Sequence, residues 1–167
     1  MKSAYRFKLR SFSKLFAAIN LAASFRQRLA NLARQRNENF GLLLTKYAIG
    51  RLLFRISQSE FQKIFVLKGA LLLELWKEQA HRSTRDADFL SNGDNDPSRF
   101  ATIFKEICAL TVDEDGLPFD QASVKAQRIK EDADYEGVRV AFPSYLERAR
   151  IPIQIDIGFG DTITPPL

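Results

Sequence analysis

The stretch IPIQIDIGF, residues 151–159, carries isoleucine at every second position. Successive side chains of a β-strand point to opposite faces of a sheet, so this period of two predicts a strand with one face in a core. The opposite face carries the carboxylate of Asp156. The residues predicted to face the core are Ile151, Ile153, Ile155 and Ile157.

Two helical patterns lie upstream of this strand. In LAASFRQRLANLARQR, residues 21–36, apolar residues recur at helical spacing, and Asn20 is the predicted N-cap. The stretch FGLLLTKYAIGRLLFRIS, residues 40–57, is richer in apolar residues, which predicts a second and more deeply buried helix.

Strands and helices are mixed in the rest of the chain. The apolar run FVLKG ends at Gly69, and ALLLELWKE then has a helical pattern. Asp96 and Pro97 suit an N-cap and a first helical position, so a helix is predicted from there to about Ala109. Further strands are predicted at DADFL (86–90), SVKAQRI (123–129) and GVRVAF (137–142). This order predicts an α/β (α+β) fold with a mixed sheet flanked by helices and an N-terminal helical segment.

The composition limits the chemistry that this chain can perform. A length of 167 residues suits one domain with a buried core. The single cysteine, Cys108, excludes an intramolecular disulfide framework and a cysteine-rich zinc site, and it favours a reducing compartment. The single histidine, His81, excludes a histidine cluster. The remaining candidates are carboxylates, hydroxyls and basic groups.

The net charge of +5 is unevenly distributed along the chain. Residues 1–37 contain nine Lys or Arg and no acid, whereas the remainder has a net charge of −4. Such a basic arm is typical of a polyanion-binding protein, and it is equally typical of a solvated basic helix face. The arm superficially matches a mitochondrial presequence, but we predict a cytoplasmic protein. No apolar run is long enough to span a bilayer, so no membrane partner is expected.

The stretch HRSTRDADFL, residues 81–90, contains the candidate chemistry. In a strand, Asp86 and Asp88 would project from one face while Ala87 and Phe89 enter the core. Two neighbouring carboxylates repel each other unless a cation lies between them, and Mg²⁺ favours such ligands together with substrate phosphates. If the strand of Asp156 lies beside this one, the carboxylates converge as a two-metal phosphoryl-transfer site requires. The alternative is polar surface at a strand end.

Gly69 supplies a complementary feature. It stands where a helix is predicted to begin, and the N–H groups at a helix N-terminus bind phosphates. Positive charge for a triphosphate would come from Lys68, Arg82 and Arg85, and Thr84 would hold the loop or contact a phosphate.

These motifs together resemble a known family. The pattern G-A followed by R-S-T-R-D-A-D-F, and much later by I-Q-I-D-I-G-F-G-D, resembles the DNA polymerase β-like nucleotidyltransferase superfamily. Within it the chain is most similar to the AbiEii/AbiGii nucleotidyltransferase toxins of bacterial toxin–antitoxin and abortive-infection systems. The similarity extends from about Asn20 to Pro165.

The resemblance implies specific roles for individual residues. Asp86 and Asp88 match the metal-binding pair, and Asp156 matches the third carboxylate, which helps to activate the attacking hydroxyl. Gly69 and Ala70 match the pair that grips nucleotide phosphates, although Ala70 replaces the usual Gly or Ser. The other nucleotide-binding residues would be Lys68, Thr84 and Arg85. The implied cofactor is Mg²⁺, and the implied partners are NTP, an RNA such as tRNA, and a cognate antitoxin.

The resemblance also implies boundaries. It divides the chain into a basic N-terminal extension (1–19), a helical segment (20–63) and a nucleotidyltransferase core (64–167). Family members continue into a further helical region, so the core is expected to be incomplete at its C-terminus. Two alternatives to a working transferase follow: an inactive truncated remnant that binds antitoxin or RNA, and an unrelated basic RNA-binding module. The latter would bind nucleic acid without regard to Asp86 or Mg²⁺.

Overall fold

A computed structural model describes residues 21–76, 85–132 and 135–160 of the chain. The predicted N-cap Asn20 and the residues His81, Arg82 and Thr84 lie outside these ranges. The helices are α1 (21–36), α2 (Phe40–Gln58), α3 (Gly69–Trp76) and α4 (Pro97–Ala109). The strands are β1 (Phe65–Lys68), β2 (Ala87–Ser91), β3 (Lys125–Asp132), β4 (Tyr135–Leu146) and β5 (Ala149–Gly158).

The strands form one five-stranded sheet in the order β1-β2-β5-β4-β3. β2 and β5 run parallel, and the other neighbouring pairs run antiparallel. The sheet is therefore mixed, with helices packed against it, and the predicted fold class is confirmed. The parallel pair lies at the centre, so β2 and β5 each have hydrogen-bonded neighbours on both sides.

One face of the sheet contains the core. The four isoleucines of β5 that were predicted to face inward are at most 2% exposed. Helices α2 and α4 pack over this face: α2 contacts β5, and α4 contacts β3 and β4. Phe65 of β1 contacts the rings of Phe89, Phe100 and Phe104, which ties the edge of the sheet to α4. Burial of this apolar surface is the main term that stabilises the fold.

Two helix starts follow from local capping. Asp96 accepts a hydrogen bond from Ser98 N with Pro97 in the first turn, which confirms the predicted start of α4. Asn39 caps α2 in the same way by accepting from Leu42 N. No helix among residues 21–76, 85–132 and 135–160 is long and apolar enough to cross a membrane.

The predicted bounds of β3 and β4 differ from the observed ones. β3 begins at Lys125 rather than Ser123, because Asp120 accepts hydrogen bonds from Ala122 N and Ser123 N and holds residues Gln121–Ser123 in a 3-10 turn. β4 extends beyond the predicted GVRVAF stretch because it pairs with β5 as far as Leu146 and Ala149.

A buried charge cluster joins α2 to the loop after α4. Arg51 Nε donates to Asp115 Oδ2 at 2.6 Å, and Arg55 Nη1 donates to the same oxygen at 2.8 Å. The Tyr47 hydroxyl donates to the carbonyl oxygen of Asp115 at 2.8 Å. We call these four residues the Asp115 cluster. Burial raises the pKa of the Asp115 carboxyl, but hydrogen bonds from Arg55 and Arg51 outweigh it, so this pKa lies below its ordinary value.

Candidate active site

Three of the predicted site residues, Lys68, Asp88 and Asp156, lie on the sheet face opposite the core. Asp88 in β2 is the register partner of Asp156 in β5 and of Lys68 in β1. Asp156 is in turn the partner of Arg139 in β4. Side chains directly opposite one another on neighbouring strands share a face, so these four residues form a line across the sheet. We call it the carboxylate row: Lys68, Asp88, Asp156 and Arg139.

The two carboxylates of the row are close neighbours. Adjacent strands lie about 4.8 Å apart, and no residue separates Asp88 from Asp156 across the β2–β5 pair. The residues on either side of Asp88 in β2 are buried as predicted, with Ala87 at 0% and Phe89 at 2% exposure. The condition set by the sequence, that the strand of Asp156 should lie beside DADFL, is therefore met.

Gly69 lies directly against Asp88. Its φ of +74° is in the left-handed region, and a Cβ built on it would overlap the Asp88 carboxylate at Oδ2. Only glycine leaves space for this carboxylate at the start of α3. Gly69 and Ala70 are both exposed, so the N-terminal end of α3 is open to solvent beside Asp88.

Asp86 has a different position from the one predicted. β2 begins at Ala87, so Asp86 lies at a bend one residue before the strand. The reason is pairing: the β2–β5 ladder starts at Ala87 and Ile155. Asp86 and Arg85 line a cavity of about 430 Å³ beneath the start of α2, together with Gln154, which shares the β5 face of Asp156. The structure brings Lys68, Gly69, Asp88 and Asp156 together, with Asp86 at the entrance to β2.

Arg139 is the residue of the row that the sequence reasoning missed. Its Nε donates to Asp156 Oδ1 at 2.8 Å, and its Nη2 donates to Oδ2 at 2.7 Å. The stretch GVRVAF was interpreted only as a strand. The available signal was the β4–β5 hairpin: once its turn is placed at Glu147 and Arg148, pairing in register puts Arg139 opposite Asp156.

The carboxylate row contains the type of ligand that Mg²⁺ prefers, but it contains only two such ligands. Ionised carboxylates are the ligands that Mg²⁺ takes, one or two at a time, together with phosphates and water. Asp88 and Asp156 supply such a pair. Asp88 lies against Gly69 at the N-terminus of α3, because a glycine at this position leaves room for its carboxylate. Across the described ranges, however, no three His, Cys, Asp or Glu side chains are grouped to hold a metal ion.

A larger cavity of about 1040 Å³ lies elsewhere on the molecule. Its walls come from the start of α1, the loop at 110–118 and the β4–β5 turn. None of the predicted site residues that the structure describes lines it. The space beside the carboxylate row is therefore separate from this cavity.

Comparisons with known proteins identify the family of this chain. The family model described as nucleotidyl transferase AbiEii toxin, type IV toxin–antitoxin system, matches residues 51–167. The match begins within α2 and includes every strand and every predicted site residue. No curated protein and no solved structure matches the chain. The chain belongs to the AbiEii nucleotidyl transferase toxin family of type IV toxin–antitoxin systems, as its motifs predicted.

Proposed function

We propose that this chain is a metal-dependent nucleotidyltransferase of a bacterial toxin–antitoxin system, which transfers a nucleotide from NTP to an RNA acceptor, specifically tRNA. The observation that carries the proposal is the carboxylate pair Asp88–Asp156 beside the open N-terminus of α3 at Gly69. Two neighbouring carboxylates next to the N-terminus of a helix suit a cation and a triphosphate together.

Each predicted site residue that the structure describes has a role in this reaction. Asp86, Asp88 and Asp156 would hold Mg²⁺, which when bound neutralises charge on the phosphate oxygens. The N–H groups at Gly69 and Ala70 would bind the triphosphate, with Lys68 and Arg85 adding positive charge. Asp156 would orient the attacking hydroxyl and accept its proton. Catalysis of this kind depends on positioning and charge stabilisation rather than on a covalent intermediate. Thr84, predicted to contact the nucleotide, lies outside the described residues.

The surface of α1 supports RNA as the acceptor class. Its four arginines are all exposed: Arg26, Arg28, Arg34 and Arg36. Lys and Arg side chains in such positions displace counterions from a phosphate backbone, which makes binding dependent on salt. NTP and tRNA are cytoplasmic substrates, so we assign the activity to the cytoplasm, where a cognate antitoxin would oppose it.

A direct assay tests the proposal. Purified full-length protein is incubated with Mg²⁺, total tRNA and each of the four labelled NTPs in turn, and label on RNA is measured. We expect incorporation by the wild type and background levels for Asp88→Asn. The exposed carboxylate Asp113 is outside the site, so Asp113→Asn is the matched control and is expected to retain full incorporation.

A second candidate, an inactive module that binds RNA or antitoxin, is favoured by one observation. Both oxygens of Asp156 are hydrogen-bonded to Arg139, and a metal would have to share or displace that partner. This candidate predicts no incorporation with any NTP by folded protein. It further predicts that tRNA binding is equal for the wild type and Asp88→Asn, with or without Mg²⁺.

A further inference from the structure

The strongest unassigned contact of the candidate site is the pair formed by Arg139 and Asp156. Two charge-assisted hydrogen bonds, at 2.8 and 2.7 Å, join the guanidinium side-on to both carboxylate oxygens. Such bidentate pairs are the strong class of charged hydrogen bond and fix the carboxylate plane. The Asp156 side chain is 12% exposed, whereas that of Arg139 is 36% exposed. Arg139 therefore approaches Asp156 from the solvent side of the sheet.

The position of this pair within the carboxylate row gives it a consequence for the site. The row reads as cation, carboxylate, carboxylate, cation across β1, β2, β5 and β4. Asp88 and Asp156 repel each other at the centre, and Arg139 offsets the charge of one of them. Without bound metal, the guanidinium thus performs the neutralisation that a divalent cation would perform.

The chemistry of a carboxylate makes Arg139 and a cation compete. An ionised carboxylate has about four lone-pair positions on two oxygens, and a bidentate guanidinium occupies two of them. We propose that Arg139 is a positioning residue that holds Asp156 in the metal-free site and competes with the divalent cation for this carboxylate. Binding of the cation at Asp156 then requires at least one of the two N–H···O bonds to open. Arg139 accordingly sets the cation concentration at which the site fills. This inference rests on the proposed function, because it assumes that Asp88 and Asp156 bind a cation.

The test measures cation binding and needs no turnover. Mn²⁺ is used as the probe, and its dissociation constant for the full chain is measured by electron paramagnetic resonance without nucleotide. We expect Arg139→Gln to bind Mn²⁺ about tenfold more tightly than the wild type, since a neighbouring opposite charge shifts a carboxylate equilibrium by about that factor or more. Arg139→Lys keeps the charge but loses the side-on geometry, so its dissociation constant should lie between the two.

Two controls make the result specific. Arg148 is exposed in the β4–β5 turn and lines the larger cavity, away from the carboxylate row, so Arg148→Gln removes an equal charge without removing the pair. Its Mn²⁺ affinity should match that of the wild type. Asp88→Asn should weaken Mn²⁺ binding in the wild-type and Arg139→Gln backgrounds alike.

Contrary outcomes separate the two proposals. If wild-type binding depends on Asp88 but Arg139→Gln leaves the affinity unchanged or lowers it, the inference is wrong and the proposed function stands. An equal gain in Arg148→Gln also overturns the inference, because the effect would be one of net charge. If no Asp88-dependent Mn²⁺ binding is found in any variant, both proposals fall. Should Arg139→Gln not fold, the Arg139→Lys affinity decides: a value no tighter than that of the wild type refutes the competition.

Discussion

Arginine holds an aspartate at two places in the part of the chain that the structure describes, and the surroundings of the two pairs differ. In the Asp115 cluster, the side chains of Asp115 and Arg55 are 7% and 8% exposed, and Asp115 also accepts from Leu117 N. At the carboxylate row, Arg139 is 36% exposed and Asp156 lies next to a second carboxylate. The first arrangement is closed and joins a loop to a helix. The second is partly exposed, at Arg139, and places two carboxylates side by side between two cations, which suits a ligand-binding site.

The largest expected effect is the cost of removing each aspartate. Asp115→Ala leaves Arg55 buried without its partner and should lower the free energy of unfolding by about 3–5 kcal/mol. Asp156→Ala should lower it by no more than about 1 kcal/mol, because Arg139 can be hydrated and because repulsion from Asp88 is relieved. Urea denaturation followed by circular dichroism measures both. Equal losses for the two variants would show that Asp115 and Asp156 stabilise the fold equally and would contradict this prediction.

The next effect concerns the glycine that makes space for Asp88. Gly69→Ala would place a side chain at φ +74° and against the Asp88 carboxylate, so we expect a loss of about 1–3 kcal/mol. Gly50, inside α2 with nothing within 4 Å of an added Cβ, provides the control. Gly50→Ala should stabilise the protein by about 0.5–1 kcal/mol. Unchanged stability and unchanged Mn²⁺ affinity in Gly69→Ala would contradict the role given to this glycine.

The depressed pKa of Asp115 predicts a pH dependence that belongs to the closed cluster. A carboxyl whose folded pKa lies below its unfolded value contributes stability above the unfolded pKa and loses it as pH falls through the folded pKa. The stability difference between the wild type and Asp115→Ala should therefore be full above about pH 4 and shrink at lower pH.

Two capping carboxyls have pKa values depressed in the same direction by hydrogen bonds from Ser98 to Asp96 and from Ser123 to Asp120. Asp96 and Asp120 are present in both the wild type and Asp115→Ala, so their contribution to the pH dependence cancels when the stabilities of the two are subtracted. Urea denaturation at a series of pH values measures the difference. A gap that stays constant down to pH values well below about 4 would contradict the assignment to Asp115.

The parts of this fold that could be predicted are those with local causes. The period of two in β5 and the Asp96–Pro97 start of α4 each lie within a few residues of sequence. The neighbourhood of Asp88 and Asp156 could be stated only as a condition, because strand order is not a local property. The start of β2 was misplaced for the same reason: pairing with Ile155, not composition, excludes Asp86 from the strand.

The two arginine pairs were not predicted, one because it is distant in sequence and the other because its hairpin turn was not recognised. Arg55 and Asp115 are 60 residues apart along the chain. Arg139 and Asp156 come together only because Leu146 pairs with Ala149 across a two-residue turn. That turn lacks the usual glycine or asparagine signal: its first residue, Glu147, adopts φ 53°. Sequence alone therefore proposed the carboxylates of the candidate site and missed the guanidinium that is hydrogen-bonded to one of them.

The last prediction uses the reactivity of Cys108 to report on the closed region alone. Burial in α4 raises the pKa of the Cys108 thiol to about 12, and Arg55 partly opposes this rise. A disulfide reagent at pH 8 should then label Cys108 far more slowly than an unfolded control, since the thiolate is the reactive form and is scarce.

Labelling would proceed through local opening, so its rate should rise about tenfold for every 1.4 kcal/mol by which a substitution destabilises the surrounding region. Asp115→Ala should accelerate it strongly and Asp156→Ala hardly at all. Equal acceleration by both would mean that the sheet opens as one unit and that the two aspartates are energetically coupled, in contradiction to the separation of a structural pair from a functional one.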